Sequence, residues 1–160
     1  MFSFLTQKKK AEHPRMAQLR KLGLFATLKP RELRVVDGLL HEREYLAGEV
    51  VFDAGEEGQA LYVVLKGRVL ICRQGDPVNG RLAEIPEGAL FGELALLYGV
   101  PRTAQARALD NCTIAALSRA DFSGLLDTHA AIASKVALEL ARDLGQKLVA
   151  KNVNADTRVL

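Results

Sequence analysis

Apolar positions in the first forty residues recur at a helical interval. Leu19, Leu22, Phe25 and Leu28 stand three apart, and Pro30 suits the first turn of a second short helix through Leu40. From His41 the pattern changes to short runs rich in β-branched and aromatic residues, Glu49–Phe52, Leu61–Leu65 and Arg68–Cys72. Gly48, Gly55, Gly58, Gly67, Gly75, Gly80 and Gly88 punctuate them, a spacing that predicts an antiparallel barrel or sandwich. Lys66-Gly67 reads as a tight hairpin turn and Gln74–Gly80 as a longer, exposed one. Two further strands are expected near Thr103–Ala108 and Cys112–Leu117. Ser118 then opens Ser-Arg-Ala-Asp, a capping-box-like start with Asp121 in place of the usual Glu, heading a short helix to about Asp127. A long amphipathic helix follows from about Ala130 to Asn152. On it Ile132, Val136, Leu140, Leu144 and Leu148 fall every fourth residue, with Ala137 and Ala141 beside them. The order is helices, a β-roll, then helices.

Composition narrows the class. The chain has 160 residues, enough for one domain with a real core, and is 49% apolar and 26% charged, as in ordinary soluble globular proteins. Its net charge of +3 is uneven. Lys8, Lys9, Lys10, Arg15, Arg20, Lys21, Lys29, Arg31 and Arg34 face only Glu12 and Glu32 in the first 34 residues, and the remainder is mildly acidic. That excludes the body as a nucleic-acid surface by charge. The basic start reads as a solvated leader over residues 1–18, with contact to a membrane, an acidic partner or nucleic acid as its alternative. MFSFL is too short for a signal peptide's apolar core, and no stretch has eighteen uncharged apolar residues, so a cytoplasmic protein is expected. Cys72 and Cys112 lack metal-site spacing and read as buried thiols, while His13, His41 and His129 are scattered. No metal site is expected.

The chemistry concentrates in Phe91–Ala104, FGELALLYGVPRTA. Here a glycine and an acid head a short apolar run, a Gly-x-Pro-Arg-Thr turn follows, and Glu93 and Arg102 flank the unit. Charges beside buried surface need partners. Gly92 lets backbone approach closely, and the amides of Leu94 and Ala95 at a helix start suit an anion. Arg102 can add a bidentate pair of bonds to a phosphate. Glu93 would repel a phosphate but can accept from a neighbouring hydroxyl, such as that of a ribose. The residues alone equally allow a buried Glu93–Arg102 salt bridge.

FGELALLYGVPRTAQARA closely resembles the phosphate-binding cassette of cyclic nucleotide-binding domains, the module of cyclic-nucleotide-dependent kinases, gated channels and catabolite-activator-type regulators. The resemblance extends over roughly residues 20–150 and takes in EYLAGEVVFDAGEEGQALYVVLKGRV and the closing helices. It implies a mainly β fold with flanking α: an eight-stranded antiparallel, jelly-roll-like β-roll with N-terminal helices, an internal cassette helix and two C-terminal helices. The domain would span residues 19–152, with 153–160 a tail. It further implies that Glu93 binds the ribose 2′-hydroxyl and that Arg102 binds the exocyclic oxygens of the cyclic phosphate. Phe91, Gly92, Leu94, Ala95 and Ala104 would complete the binding site, Gly92 and Ala95 through backbone contacts, and Thr103 would lie against phosphate and base.

Thr103 resembles the residue with which cGMP-dependent kinases bond the guanine amino group, yet some cAMP-responsive channels carry threonine there too. The ligand expected is cAMP, the commoner one in the family, with cGMP second and a cyclic dinucleotide third. The family's last helix moves over the base as a lid, which here nominates Leu138, Leu140, Leu144 or Leu148. Packing on the roll, or against a second copy in a homodimer, is the other reading of that stripe. No nucleophile–base pair or metal site is present, so no catalytic residue and no cofactor beyond the ligand is expected. With the chain ending at Leu160, direct DNA reading is not expected either. Two functions remain: a sensor that signals through its last helices to an effector protein, or a scaffold that keeps the fold and uses its helices constitutively.

Overall fold

The computed structural model describes residues 14–156. Lys8–Lys10 and His13, and with them most of the leader, lie outside the described residues, as does the end of the tail. Helix α1 spans Pro14–Arg20, a single 3₁₀ turn spans Gly23–Phe25, and helix α2 spans Pro30–Asp37. Met16 of α1 is buried and Gln18 donates to the Leu65 carbonyl, so the packed unit starts before residue 19. Leu19, Leu22, Phe25 and Leu28 are all buried, as their spacing suggests. Their interval is the 3₁₀ period rather than the α period. The amides of Leu22, Phe25 and Leu28 donate in turn to the carbonyls of Leu19, Leu22 and Phe25. Pro30 does open α2, where Glu32 accepts from the Lys29 amide at 2.7 Å, but the helix closes at Gly38, short of Leu40.

Eight strands follow: β1 His41–Tyr45, β2 Val50–Phe52, β3 Ala60–Lys66, β4 Val69–Arg73, β5 Asp76–Ile85, β6 Leu90–Phe91, β7 Gln105–Ala108 and β8 Cys112–Ser118. They form two antiparallel sheets, β1-β8-β3-β6 and β2-β7-β4-β5. Helix α3, Leu94–Leu97, interrupts the strands, and α4, Arg119–Thr128, and α5, Ala130–Asp156, close the chain. Ser118 caps α4, its hydroxyl accepting from the Asp121 amide at 3.0 Å. The eight-stranded roll with flanking helices is therefore the observed architecture. Helix α5 runs beyond Asn152 into the expected tail.

Two turns differ from the sequence reading. Lys66-Gly67 does not make a hairpin, because β3 already has β8 and β6 as neighbours; the turn carries the chain across to β4 in the other sheet. The hairpin between β4 and β5 turns at Gln74-Gly75, with the remaining residues absorbed as an irregularity between Cys72↔Arg81 and Arg73↔Asp76.

Alternation along the central strands divides the core. Leu61, Val63 and Leu65 of β3, with Ala115 and Leu117 of β8, face the helices. There they meet Leu19, Phe25, Leu33, Phe122, Leu125, Val136 and Leu140. The opposite faces, Val64 of β3 and Ile114 of β8, join Phe52, Val69, Phe91 and Ala106 inside the roll. A strand buried on both faces reads as a continuous apolar run, as β3 does. Cys72 and Cys112 are free and buried, and burial raises the Cys72 thiol above its ordinary pKa. Among the described residues no helix is long and apolar enough to cross a membrane.

Candidate functional site

The chain between β6 and β7 is anchored by the buried Ala95 and Leu96 and by backbone hydrogen bonds. Leu94–Leu97 makes one helical turn, and extended Tyr98 ends it. The return segment is stitched to the loop at residues 55–58. Gly55 donates to the Arg102 carbonyl at 2.8 Å, Arg102 to that of Glu56 at 2.8 Å, and Gly58 to that of Val100 at 3.2 Å. Gly58 permits this approach, since a Cβ there would lie 2.7 Å from the Ala95 methyl and 2.8 Å from the Val100 carbonyl.

A cavity of about 410 Å³ opens between this segment and the roll. Phe91, Gly92, Glu93, Leu94, Ala95, Arg102, Thr103 and Ala104 all line it, so every cassette residue singled out in the sequence reaches one wall. The remaining lining is mainly apolar, with Phe52, Ile71, Ala83, Ile85 and Leu90 among it. This volume and lining fall in the range of small-molecule sites.

Arg102 is buried. Its Nη1 donates to the Gly92 carbonyl at 3.1 Å and its Nη2 to the Ala60 carbonyl at 2.7 Å. The guanidinium carbon lies 4.2 Å from the centroid of the Phe52 ring and 5.4 Å from that of Tyr62. Phe91 continues the aromatic group, stacked on Tyr62 at 5.2 Å. Burial lowers the Arg102 pKa, while Tyr62, Glu56 and Glu93 pull it back up. The group stays charged at neutral pH. Two of its five N–H donors are spent on carbonyls, and those not turned to the Tyr62 side chain remain for a ligand. Gly92 has φ +70°, and a Cβ there would stand 2.6 Å from Arg102 Nη1. Glycine is thus required both for the backbone conformation and to seat the arginine.

Glu93 and Arg102 do not pair with one another. Glu93, with its side chain 12% exposed, accepts through Oε1 from Lys147 Nζ at 2.8 Å. Lys147 also reaches Asp143 Oδ2 at 2.9 Å and the Leu90 carbonyl at 3.2 Å. Burial opposes its charge, but the hydrogen bonds and charges of Glu93 and Asp143 together outweigh this and hold its pKa above the usual lysine value. Sequence reasoning missed Lys147, because a lysine on a helix with an acid four residues earlier looks like a solvated pair. Its one signal is its place on the Leu140–Leu144 side of α5, among residues expected to face inward.

The Ala95 amide and the four candidate lid leucines have surroundings other than the cavity. The Ala95 amide is turned onto the Gly92 carbonyl at 3.3 Å, a bond that closes the cassette turn. None of the four candidate lid leucines lines the cavity. Leu140 is buried in the core against the N-terminal helices and Leu144 packs beside it, while Leu138 and Leu148 face outward, 52% and 61% exposed. The four-residue repeat drifts around an α-helix, so its members cannot share one narrow face over the whole length. Among the described residues that line the cavity, Lys147 is the sole contribution of α5.

The profile of one protein family, the cyclic nucleotide-binding domain, matches residues 42–129. The chain is 36% identical to the cyclic AMP receptor protein of Thermus thermophilus, over 76% of this chain and 56% of the relative. It is 32% identical to human cGMP-dependent protein kinase 2, over 68% of this chain and 14% of that one. The crystal structure of the Thermus thermophilus catabolite activator protein superposes with a TM-score of 0.73 at 32% identity. That match covers 86% of this chain and 63% of the other. The chain thus spans about half or less of the length of these two curated relatives.

Proposed function

The chain belongs to the cyclic nucleotide-binding domain family, and on that premise we propose that its cassette cavity binds a cyclic mononucleotide, cAMP in preference to cGMP. Arg102 takes the exocyclic phosphate oxygens with the donors it has to spare. Glu93 accepts from the ribose 2′-hydroxyl, and the base lies on the apolar wall of Ile71, Ala83 and Ile85, with Thr103 beside phosphate and base. The observation that carries this reading is the convergence of all eight cassette residues on one cavity, with the acid and the base separately partnered on its wall. A salt bridge between them would have left neither free for a ligand.

The domain is regulatory by family, and we propose that its output leaves through α5, whose contact with the site is Lys147. An effector protein would read that helix. Its exposed Leu138, Leu148, Val149 and Val153 offer apolar surface to such a partner or to a second copy.

Calorimetric titration with cAMP, cGMP and cyclic di-GMP tests the proposal. Saturable binding of cAMP ahead of cGMP is expected. Tightest binding of the dinucleotide would replace the ligand assignment, and no binding of any at high micromolar concentration would favour a constitutive scaffold. Thr103→Ala should weaken cGMP more than cAMP, by up to about tenfold for one hydrogen bond. Equal losses would remove Thr103 from base selection.

A further inference from the structure

Glu93 is a carboxylate at a mostly apolar wall, and its charge compensation comes from outside the cassette. Lys147 Nζ donates to Glu93 Oε1 at 2.8 Å and to the Leu90 carbonyl at 3.2 Å, and it forms an ion pair with Asp143 Oδ2 at 2.9 Å. The ammonium thereby fixes one oxygen of Glu93, while the charge of Asp143 and the Leu90 carbonyl hold the ammonium. Glu93 Oε2 carries no hydrogen bond among the described residues, and Glu93 lines the cavity. An oriented carboxylate with one oxygen occupied and one free is preorganised to accept a single hydroxyl.

We propose that Lys147 is a positioning residue for sugar recognition: from α5 it orients Glu93 so that Oε2 faces the 2′-hydroxyl of the ligand. This rests on the cyclic-nucleotide reading above. Lys147 touches no ligand atom in this arrangement; it acts through Glu93. Without the ammonium, Glu93 would lie beside apolar surface with no cation within bonding distance, and it would turn toward water. That removes the acceptor from the sugar. The same contact makes sugar binding and the docking of α5 mutually dependent, since whatever steadies Glu93 also steadies the residue that holds it.

The test compares cAMP with 2′-deoxy-cAMP, and the cGMP pair in parallel, on the wild type, Lys147→Gln and Lys147→Arg. A charge-assisted hydrogen bond to the 2′-hydroxyl should give the wild type a preference for the ribo-ligand of about tenfold to a hundredfold. Lys147→Gln should compress that preference to about threefold or less while leaving affinity for the 2′-deoxy ligand nearly unchanged. Lys147→Arg should restore most of it. Unfolding midpoints of both variants, measured without ligand, separate a general loss of structure from the specific effect. A helix anchor with no bearing on Glu93 would weaken both ligands equally, and that result overturns the proposal. Tighter binding of cAMP by Lys147→Gln would overturn it as well, because it would make the lysine a competitor of the sugar. If the wild type itself fails to distinguish the two ligands, the sugar role of Glu93 falls and this proposal with it. If the wild type discriminates and Lys147→Gln does so equally, only the role of Lys147 falls.

Discussion

Replacing Arg102 by alanine should damage two properties that can be measured apart. In the free protein the guanidinium donates to the carbonyls of Gly92 and Ala60 and lies 4.2 Å from the centroid of the Phe52 ring. Hydrogen bonds from a charged group contribute about 1.5–3 kcal/mol each, and a cation–π contact about 0.5–2 kcal/mol. Two effects offset their loss. The variant no longer buries a guanidinium, whose lowered pKa records that burial cost, and water entering the open cavity can reach the freed carbonyls. The net loss of unfolding free energy should be about 1–3 kcal/mol, measured by urea denaturation without ligand. Ligand affinity should fall further, by about 2–5 kcal/mol, or thirtyfold to several-thousandfold in a calorimetric titration. The two readings cross-check. Ligand at a hundred times the wild-type Kd should stabilise the wild type by about 2.7 kcal/mol but a thirtyfold weaker variant by only about 0.9 kcal/mol. A variant with full stability and undiminished ligand stabilisation would refute both the structural and the phosphate role of Arg102.

Gly92→Ala should weaken ligand binding more than it weakens the fold: the positive φ costs about 1–2 kcal/mol, and the methyl displaces Arg102 from its carbonyls. Titration alongside urea unfolding checks this, and unchanged affinity would count against the seating of Arg102. Leu140→Ala should cost about 2–5 kcal/mol of stability, whereas Leu148→Ala should stay within about 0.5 kcal/mol, because the first is 1% exposed and the second 61%. Equal losses in urea unfolding would contradict the assignment of Leu140 to the core. Glu32, bonded through both oxygens to Lys135 at 2.8 Å and to the Lys29 amide, has its pKa lowered chiefly by the Lys135 hydrogen bond. A folded-state pKa below the unfolded value of about 4.3 stabilises above that pH and ceases to do so as pH falls through the folded value. The stability gap between wild type and Glu32→Gln should therefore be widest near neutrality and close in acid, as read from urea midpoints between about pH 3 and pH 7. A gap that widens in acid would reverse the sign of the argument.

What could be read in the sequence follows from which side chains the fold commits. Strands β3, β4 and β8 are buried on one face or both, and their apolar runs announce them. The strands that went unread lie at sheet edges. β1 is His-Glu-Arg-Glu-Tyr with only Tyr45 buried; β5 contains Pro77 and Gly80 and is mostly exposed; β6 is two residues long. Edge strands carry charge and proline so as not to pair with other chains, which removes the alternation a reader looks for. The cassette was legible because its glycine, proline and charges are each required locally. Lys147 was not, because its role comes only from α5 crossing β6, a contact between residues 90–93 and 143–147 that no local pattern encodes. The leucine stripe of α5 is legible only in part for the same reason: periodicity shows that a helix has an apolar face, not what that face meets.

The order β1-β8-β3-β6 has a consequence for how the molecule is made. Strand β8 is the last to leave the ribosome, yet it joins β1 to β3: His41 pairs with Ala116 and Leu61 with Leu117. Until Ser118 has been synthesised, β1 has no partner strand and β3 presents an open apolar edge. Such long-range pairings fold slowly, and a nascent chain stalled before β8 would display unpaired edges to its neighbours. The sheet that carries β6, and with it the start of the cassette, is thus completed only once residue 118 has been made.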